Sequence, residues 1–308
     1  MKTLVTQDEK CAFCQSIEIE VLIPKLVLPD KVSVLRCRNC DLVFLESRVE
    51  AESVDREEAA YWDNDEQKAI YLKEDVKNVF VKEFEKRLDS LEFFKPNGGK
   101  MLDVGCGVGH FLYTAKRRHW NVKGLDISSA AAKAAKEAYD IDVSLGTLED
   151  ADLKQNEFDV VTLWDVIEHI RRPLQNVHAA NKFIRMGGVL AIKTPNEHGL
   201  FKWIALKCYR WFGPRAAFLL KYVYYVPHYF SYSKKSLDIL LKRNGFEPVL
   251  YEFDETPEEF GKEKIGVHYK KDPKRRLVLA LLPFVMAFAR VFRRRNKIIV
   301  YAKKMRDV

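Results

Sequence analysis

The chain has 308 residues, 31% charged and 47% apolar, a balance that excludes wholesale disorder and allows one large domain plus a small one. Its net charge of +8 is uneven: from residue 262 to the carboxyl end fifteen Lys and Arg stand against three Asp and Glu, so this tail carries +12 and the remainder about −4. Basicity confined to a tail suits an anionic partner, either nucleic acid or lipid headgroups, and the apolar run beside it favours lipid.

The opening residues, "MKTLVTQDEKCAFC", contain no apolar h-region. This predicts a cytoplasmic protein, where structural disulfides are disfavoured. Four of the six cysteines form two close pairs, "CAFC" (Cys11, Cys14) and "CRNC" (Cys37, Cys40), with twenty-two residues between them. Two such turns present four thiolates to one point, the donor set of a closed tetrahedral zinc site. "EIEVLIPKLVL", "KVSVLR" and "DLVFL" read as short strands around it. Residues 1–45 are therefore expected to be a zinc-ribbon-like module. It is too small for a core of its own, so the metal supplies much of its folding energy and is structural rather than catalytic. Residues 46–98 read as a charged helical connection. Ile70, Val76, Val79, Phe80, Phe84, Leu88 and Leu91 fall at helical spacing, Asn97, Gly98 and Gly99 close the segment, and part of it is expected to cover a ligand of the next domain.

"GKMLDVGCGVGHFLYTAKRRHWNVKGLDIS" carries the strongest pattern. An apolar strand runs into Gly105, Gly107 and Gly109, and a helix begins near His110; the glycines permit a tight turn and close approach of backbone to a ligand. A second strand ends at Asp126, seventeen residues after Gly109, where a carboxylate can accept from both hydroxyls of a ribose. A nucleoside site follows, although a glycine loop alone fits a nicotinamide dinucleotide equally well.

Asp103, Gly105, Gly107 and Gly109 fall on a D-x-G-x-G-x-G pattern that resembles class I S-adenosylmethionine-dependent methyltransferases, and the likeness continues over residues 99–252. "SLGTLED" (144–150) resembles the loop lying against the adenine, "FDVVTLWDVIEHI" (158–170) the fourth strand and its motif, and "IRMGGVLAIKTPN" (184–196) the helix, turn and fifth strand. The form D-x-x-E-H at Asp165, Glu168 and His169 resembles the branch holding ubiquinone-biosynthesis O-methyltransferases and many sugar or cell-envelope methyltransferases, some of which carry an amino-terminal zinc module. The resemblance implies an α/β fold: a Rossmann-like, seven-stranded methyltransferase sheet over residues 99–308, with a small zinc ribbon before it and an amphipathic insertion between strands six and seven. It implies S-adenosylmethionine as cofactor. Asp126 would bind the ribose, Asp103 the loop and the methionine amino group, and Gly105 and Gly107 would make room. Cys106, Gly109, Ile127 and Trp164 would line the site. Thr147 stands where many relatives carry Asp, which shifts adenine recognition to the backbone of Leu148, with Glu149 nearby.

His169 is the first candidate for a catalytic group, as a base toward an acceptor hydroxyl. Asp165, Glu168 and His169 together could instead hold a divalent cation, or the histidine could only order its loop. His198 in "TPNEHGLF" is a second candidate base.

Residues 198–233 contain twelve Phe, Tyr and Trp interleaved with Lys and Arg. They read either as a lid that selects the acceptor or as core for an extra helical layer. "SKKSLDILLKRNGFEPVLYEF" reads as helix, turn and sixth strand, and "NKIIVYAKK" (296–304) as the seventh. Between these two strands lies "RRLVLALLPFVMAFARVFRRR" (275–295). Its thirteen-residue apolar stretch, 277–289, falls short of the roughly 20 residues of a span, Pro283 breaks the run further, and the next strand fixes both ends to one sheet. Lys274, Arg275 and Arg276 before it and Arg290, Arg293, Arg294 and Arg295 after it suit anionic headgroups, at about 1 kcal/mol each. An interfacial helix is expected, with a buried helix or oligomer contact as the alternative.

Together these readings predict a peripheral protein at the inner face of the membrane that methylates an oxygen of a lipid-linked sugar or glycolipid in cell-envelope biosynthesis. A prenylated quinone is the alternative acceptor, an RNA methyltransferase with the zinc ribbon and basic tail as RNA contacts is a third reading, and a membrane-bound scaffold that only binds nucleoside is the non-enzymatic one. Nucleic acid is disfavoured, because Asp165, Glu168 and Glu197 make the mouth of the site acidic. The oligomeric state is left open.

Overall fold

The computed structural model describes residues 10–24, 27, 32–46, 71, 73–224, 228–257, 261–262, 265 and 272–308. The first nine residues and most of the stretch from 47 to 72, Ile70 among them, lie outside the described residues. By its internal contacts the chain forms two compact units, each drawn from separated segments. One comprises residues 49–192, 240–250 and 300–308; the other comprises 1–48, 193–239 and 251–299.

The first unit opens on α1 (Glu74–Phe94), which places Glu74 and Asp75 in its first turn, where carboxylates complement the helix dipole. Val76, Leu88 and Leu91 are buried at helical spacing, and Phe84 meets Phe111 edge-on at 5.2 Å. Then come β4 (Lys100–Val104), α2 (His110–Arg117), β5 (Asn121–Asp126), α3 (Ser129–Tyr139), β6 (Val143–Leu145), β7 (Phe158–Trp164), a 3-10 turn (Ile167–His169) and α4 (Pro173–Phe183). β4 is buried from its second residue on and β7 up to its last, the continuous apolar pattern of parallel strands covered on both faces. β4 pairs in parallel with β5 and β7, and β5 with β6.

Later come β8 (Ile184–Pro195), α6 (Lys234–Arg243), β10 (Phe246–Asp254) and β11 (Lys297–Lys304), after the ribbon strands β1 (Ile19–Ile23), β2 (Val34–Cys37), β3 (Val43–Leu45) and the short β9 (Phe230–Ser231). The main sheet is mixed and seven-stranded, as the resemblance implies, and its strands run in the order β10-β11-β8-β7-β4-β5-β6. One local expectation changes. No separate helix and turn precede the fifth strand of this sheet within residues 184–196, because α4 ends at Phe183 and β8 begins at Ile184. The glycine pair lies inside the strand: Gly187 takes a φ of +72°, and a Cβ on Gly188 would meet Ile184 Cγ2 at 2.6 Å.

In the second unit, β1, β2 and β3 form an antiparallel meander, and β9 pairs with β3 (Val43 opposite Ser231, Phe44 opposite Phe230). The strand that completes the cysteine module's sheet thus comes from the aromatic insert, whose other elements are α5 (Leu200–Phe212) and a 3-10 run (Gly213–Tyr222). Their shared core joins Ile23, Val34 and Val43 to Ala205, Leu220 and Tyr224. Phe13, Phe230 and Tyr232 form a second cluster with ring centroids about 6 Å apart. The insert's aromatics divide: Tyr224, Tyr229, Phe230 and Tyr232 are core, whereas Trp203, Trp211 and Phe212 are exposed.

The basic-flanked segment is a helix, α7 (Arg275–Val291), that runs through Pro283 rather than being broken there. Proline lacks only its own N–H, so the remaining ladder carries the helix past it at a local cost. Among the described residues no helix is long and apolar enough to cross a membrane.

Candidate active site

The carboxyl ends of β4 and β5 meet in the glycine loop. Gly105 N donates to Leu125 O at 2.7 Å, and Gly107 N donates to Asp126 Oδ2 at 2.8 Å. Gly105, Gly107 and Gly109 all take positive φ (67°, 51° and 84°), where only glycine is at ease. A Cβ on Gly105 would meet Val166 Cγ2 at 2.6 Å. Gly109 begins α2 without a side-chain cap. Asp126 Oδ1 accepts from Ser128 N at 2.9 Å, and Ser128 in turn caps α3 by accepting from Ala131 N. Asp126 is thereby fixed in place at the end of β5.

Asp103 is buried beneath the loop, with Thr162 Oγ1 donating to its Oδ1 at 2.6 Å. Burial, reinforced by the nearby charge of Asp126 and only partly opposed by Thr162, pushes its carboxyl up to about 8. A cation beside it would draw it back toward the ionised form. The Cys106 thiol is also pushed up by burial, so this cysteine is an inert wall of the loop. Leu148 is fully buried, while Ile127 is exposed. Thr147 donates to Asp150 Oδ2 at 2.7 Å within its own loop, and Glu149 accepts from Asn176 of α4 at 3.2 Å, so both side chains are engaged.

Trp164 ends β7, its ring edge-on to Phe111 at 5.2 Å, and its buried indole N–H has no hydrogen-bond partner among the described residues. An unpaired buried donor is costly. A polar nucleoside-bearing cofactor beside the glycine loop would supply the acceptor that this N–H lacks. Beyond Trp164 the chain turns at Asp165, whose φ of +59° is rare outside glycine but tolerated by Asp, and enters the 3-10 turn. Glu168 is fully buried there and His169 half-buried. The sequence reading missed several partners of this site. His110 is buried, its Nδ1 2.8 Å from Tyr139 Oη and its Nε2 2.9 Å from the carbonyl of Tyr71, and burial holds its imidazole below its ordinary value. Thr162 likewise looked like an ordinary strand residue. Neither pairing has a sequence signature, because each joins residues brought together by the sheet.

His198 belongs to the other unit. Its Nε2 lies 2.8 Å from Asp41 Oδ2, which raises the histidine above its usual value, and Asp41 also faces Arg36 at 3.5 Å. Beside it Glu197 is buried, accepting from Arg36 (3.3 Å), Lys202 (3.2 Å) and Tyr224 (2.9 Å).

The four cysteine sulfurs lie within 4.8 Å of one another, with Cys11–Cys40 at 3.3 Å and Cys14–Cys37 at 3.5 Å. A Zn–S bond of about 2.3 Å in a tetrahedron implies sulfur separations of about 3.8 Å, so the cluster fits that ion. Gln15 and Asp41, the residue after each pair, take almost the same left-handed φ (60° and 62°), and each N–H returns to the carbonyl of the first cysteine of its pair. The two turns are copies in geometry. The hydrogen bond from Cys40 draws the Cys11 thiol down to about 5, whereas burial drives Cys37 up to about 11 and that same bond drives Cys40 upward.

A family profile described as a methyltransferase domain matches residues 76–251, more than half of the chain. The chain belongs to the methyltransferase-domain family. Its glycine loop, Asp126 and seven-stranded sheet are those of the class I S-adenosylmethionine-dependent methyltransferases. The ubiquinone biosynthesis O-methyltransferases of Alkalilimnicola ehrlichii and Erwinia tasmaniensis are 35% and 36% identical to it over 107 residues, 33% of this chain and 43% and 44% of theirs. The chain thus matches less than half the length of these curated relatives. A crystal structure of a SAM-dependent methyltransferase from Archaeoglobus fulgidus shares the fold, with a TM-score of 0.51 and 18% identity, covering 74% of this chain and 94% of that one.

Proposed function

We propose that this methyltransferase transfers the methyl group of S-adenosylmethionine to an oxygen of a lipid-linked sugar or glycolipid, working at the cytoplasmic face of a membrane. The observation that carries the acceptor class is the outer stripe of α7. Leu277, Leu281, Phe284, Phe288, Val291 and Phe292 are all exposed, Val291 by 76%. They follow helical spacing between Arg275 and Arg276 at one end and Arg293, Arg294 and Arg295 at the other. A contiguous apolar stripe with basic ends matches an anionic lipid surface rather than water.

S-adenosylmethionine, when bound, supplies an electrophilic methyl group. The chain's own work is alignment. Asp126 accepts from the ribose hydroxyls, Asp103 faces the amino group, Gly105 and Gly107 admit the backbone approach, and Trp164 N–H gains an acceptor. Leu148 and its loop flank the base. His169 would take the proton of the acceptor hydroxyl as the C–O bond forms and the methyl–sulfur bond breaks, its electron pair staying on sulfur. The four cysteines hold a structural zinc ion.

The names of the two ubiquinone biosynthesis O-methyltransferases favour a second acceptor, a prenylated quinone precursor. In that reading Asp165, Glu168 and His169 hold a divalent cation. Supplying the purified protein with methyl-labelled S-adenosylmethionine and a host extract separates these readings. Label in an organic-soluble glycolipid, lost in His169→Ala and indifferent to chelator, supports the first. Label in a quinone fraction that requires added magnesium supports the second. Label in RNA overturns both.

A further inference from the structure

A cavity of about 250 Å3 lies within the second unit, between α7 and the start of the aromatic insert. Leu282, Val285, Met286 and Ala289 form one wall, at i, i+3, i+4 and i+7, so a single face of α7 lines it. That face is distinct from the exposed stripe, roughly a third of a turn away around the helix. Leu200, Phe201 and Val223 line the apolar wall from the insert. Asn196, Lys202, Arg294 and Lys297 supply polar lining, three of them cationic, with Lys202 already paired to Glu197. Glu255 borders the cavity too. This side chain is only 8% exposed, its Oε2 accepts from Arg290 at 3.0 Å, and its buried Oε1 has no partner among the described residues.

The cavity opens to the surface, and a concave, mostly apolar cleft with a few polar groups is the usual form of a small-molecule site. A cavity of about 150 Å3 already accepts benzene, so this one has room for about ten carbons by proportion. We propose that it binds the hydrocarbon tail of the acceptor lipid next to its headgroup, with the cationic lining meeting a phosphate and Glu255 Oε1 accepting from a head hydroxyl. The argument is one of continuity and charge. The helix that walls the cavity also presents the exposed apolar stripe, so a chain leaving a bilayer passes from one face of α7 to another without crossing water. The acceptor's tail enters the protein and its head remains at the polar lining. This assignment rests on the lipid-acceptor reading above and deepens it.

The test uses the full-length protein and two probes of equal charge, farnesyl monophosphate and dodecyl phosphate, titrated by calorimetry below their micelle-forming concentrations. Ala289→Phe and the milder Met286→Phe fill the cavity from α7. Wild type should bind at least one probe, and both variants should bind it at least tenfold more weakly, with S-adenosylmethionine affinity and liposome flotation unchanged within twofold. A preference for farnesyl identifies an isoprenoid tail, and a preference for dodecyl an acyl one; either supports the site. Equal binding by wild type and whichever variants fold, or no binding of either probe by wild type, overturns it. Failure of the parent reading gives a different pattern: tail binding persists while no methyl label enters an organic fraction.

Discussion

Asp103 and Asp126 end up on adjacent strands, both buried, and they differ in the hydrogen bonds they accept. Asp126 accepts two backbone N–H groups, whereas Asp103 is buried with one hydroxyl donor. For Asp103 the folded carboxyl titrates near 8 and the unfolded one near 4, so between these values the folded state holds a proton that the unfolded chain has released. Stability therefore falls as pH rises through that window, by about 1.4 kcal/mol per pH unit at most. Urea midpoints at pH 5 and pH 8 should show this loss in the wild type and a flatter profile in Asp103→Asn. Asp126→Ala should weaken S-adenosylmethionine binding by tenfold or more in calorimetry, because it removes both the ribose acceptor and the anchor of Gly107 N–H. Asp126 was legible in the sequence as an acid ending a second strand after a glycine loop. Thr162 and His110 were not, since their partners Asp103, Tyr139 and Tyr71 lie 29 to 59 residues away.

At the scale of elements, α7 and the cysteine turns are the informative cases. The exposed stripe of α7 makes Phe284→Asp plus Phe288→Asp a direct probe: flotation on anionic liposomes should be lost, with S-adenosylmethionine affinity unchanged. Pro283 lies inside the helix, which forfeits one ladder hydrogen bond there. Pro283→Ala should raise stability by about 1–3 kcal/mol, read as a higher thermal midpoint. The sequence marks this proline as an interruption, but composition alone does not say whether neighbouring turns hold a helix together across it. For the ribbon, the spacing C-x2-C identified four ligands, and the paired left-handed turns at Gln15 and Asp41 supply the geometry. A zinc-binding dye should report one equivalent of zinc on denaturation of the wild type and much less from Cys11→Ser.

For the whole molecule, the consequential feature is that the aromatic insert supplies β9 to the ribbon's sheet and Ala205, Leu220 and Tyr224 to its core. Loss of the metal should therefore loosen the insert as well as the ribbon. Chelation should open residues 200–231 to limited proteolysis while sites in residues 74–192 stay protected; cleavage confined to residues 10–46 would contradict this coupling. Phe13→Ala should behave similarly and cost about 3–5 kcal/mol, since it removes a fully buried ring from the cluster with Phe230 and Tyr232.

The seven-stranded α/β sheet followed from a family resemblance, while the sequence by itself determined the glycine loop with its acidic partner, the flanking apolar strands and the four clustered cysteines. Each of these is written locally, in the period of apolar residues or the spacing of a few side chains within about thirty positions. Tertiary structure alone decided that the ribbon and the insert share one sheet, that Asp41 faces His198, and that α7 walls a cavity with one face while exposing another. Those facts depend on which distant segments pack together. A pattern of residues along a helix shows that it is apolar on several sides, but only its neighbours in space determine which side each one covers.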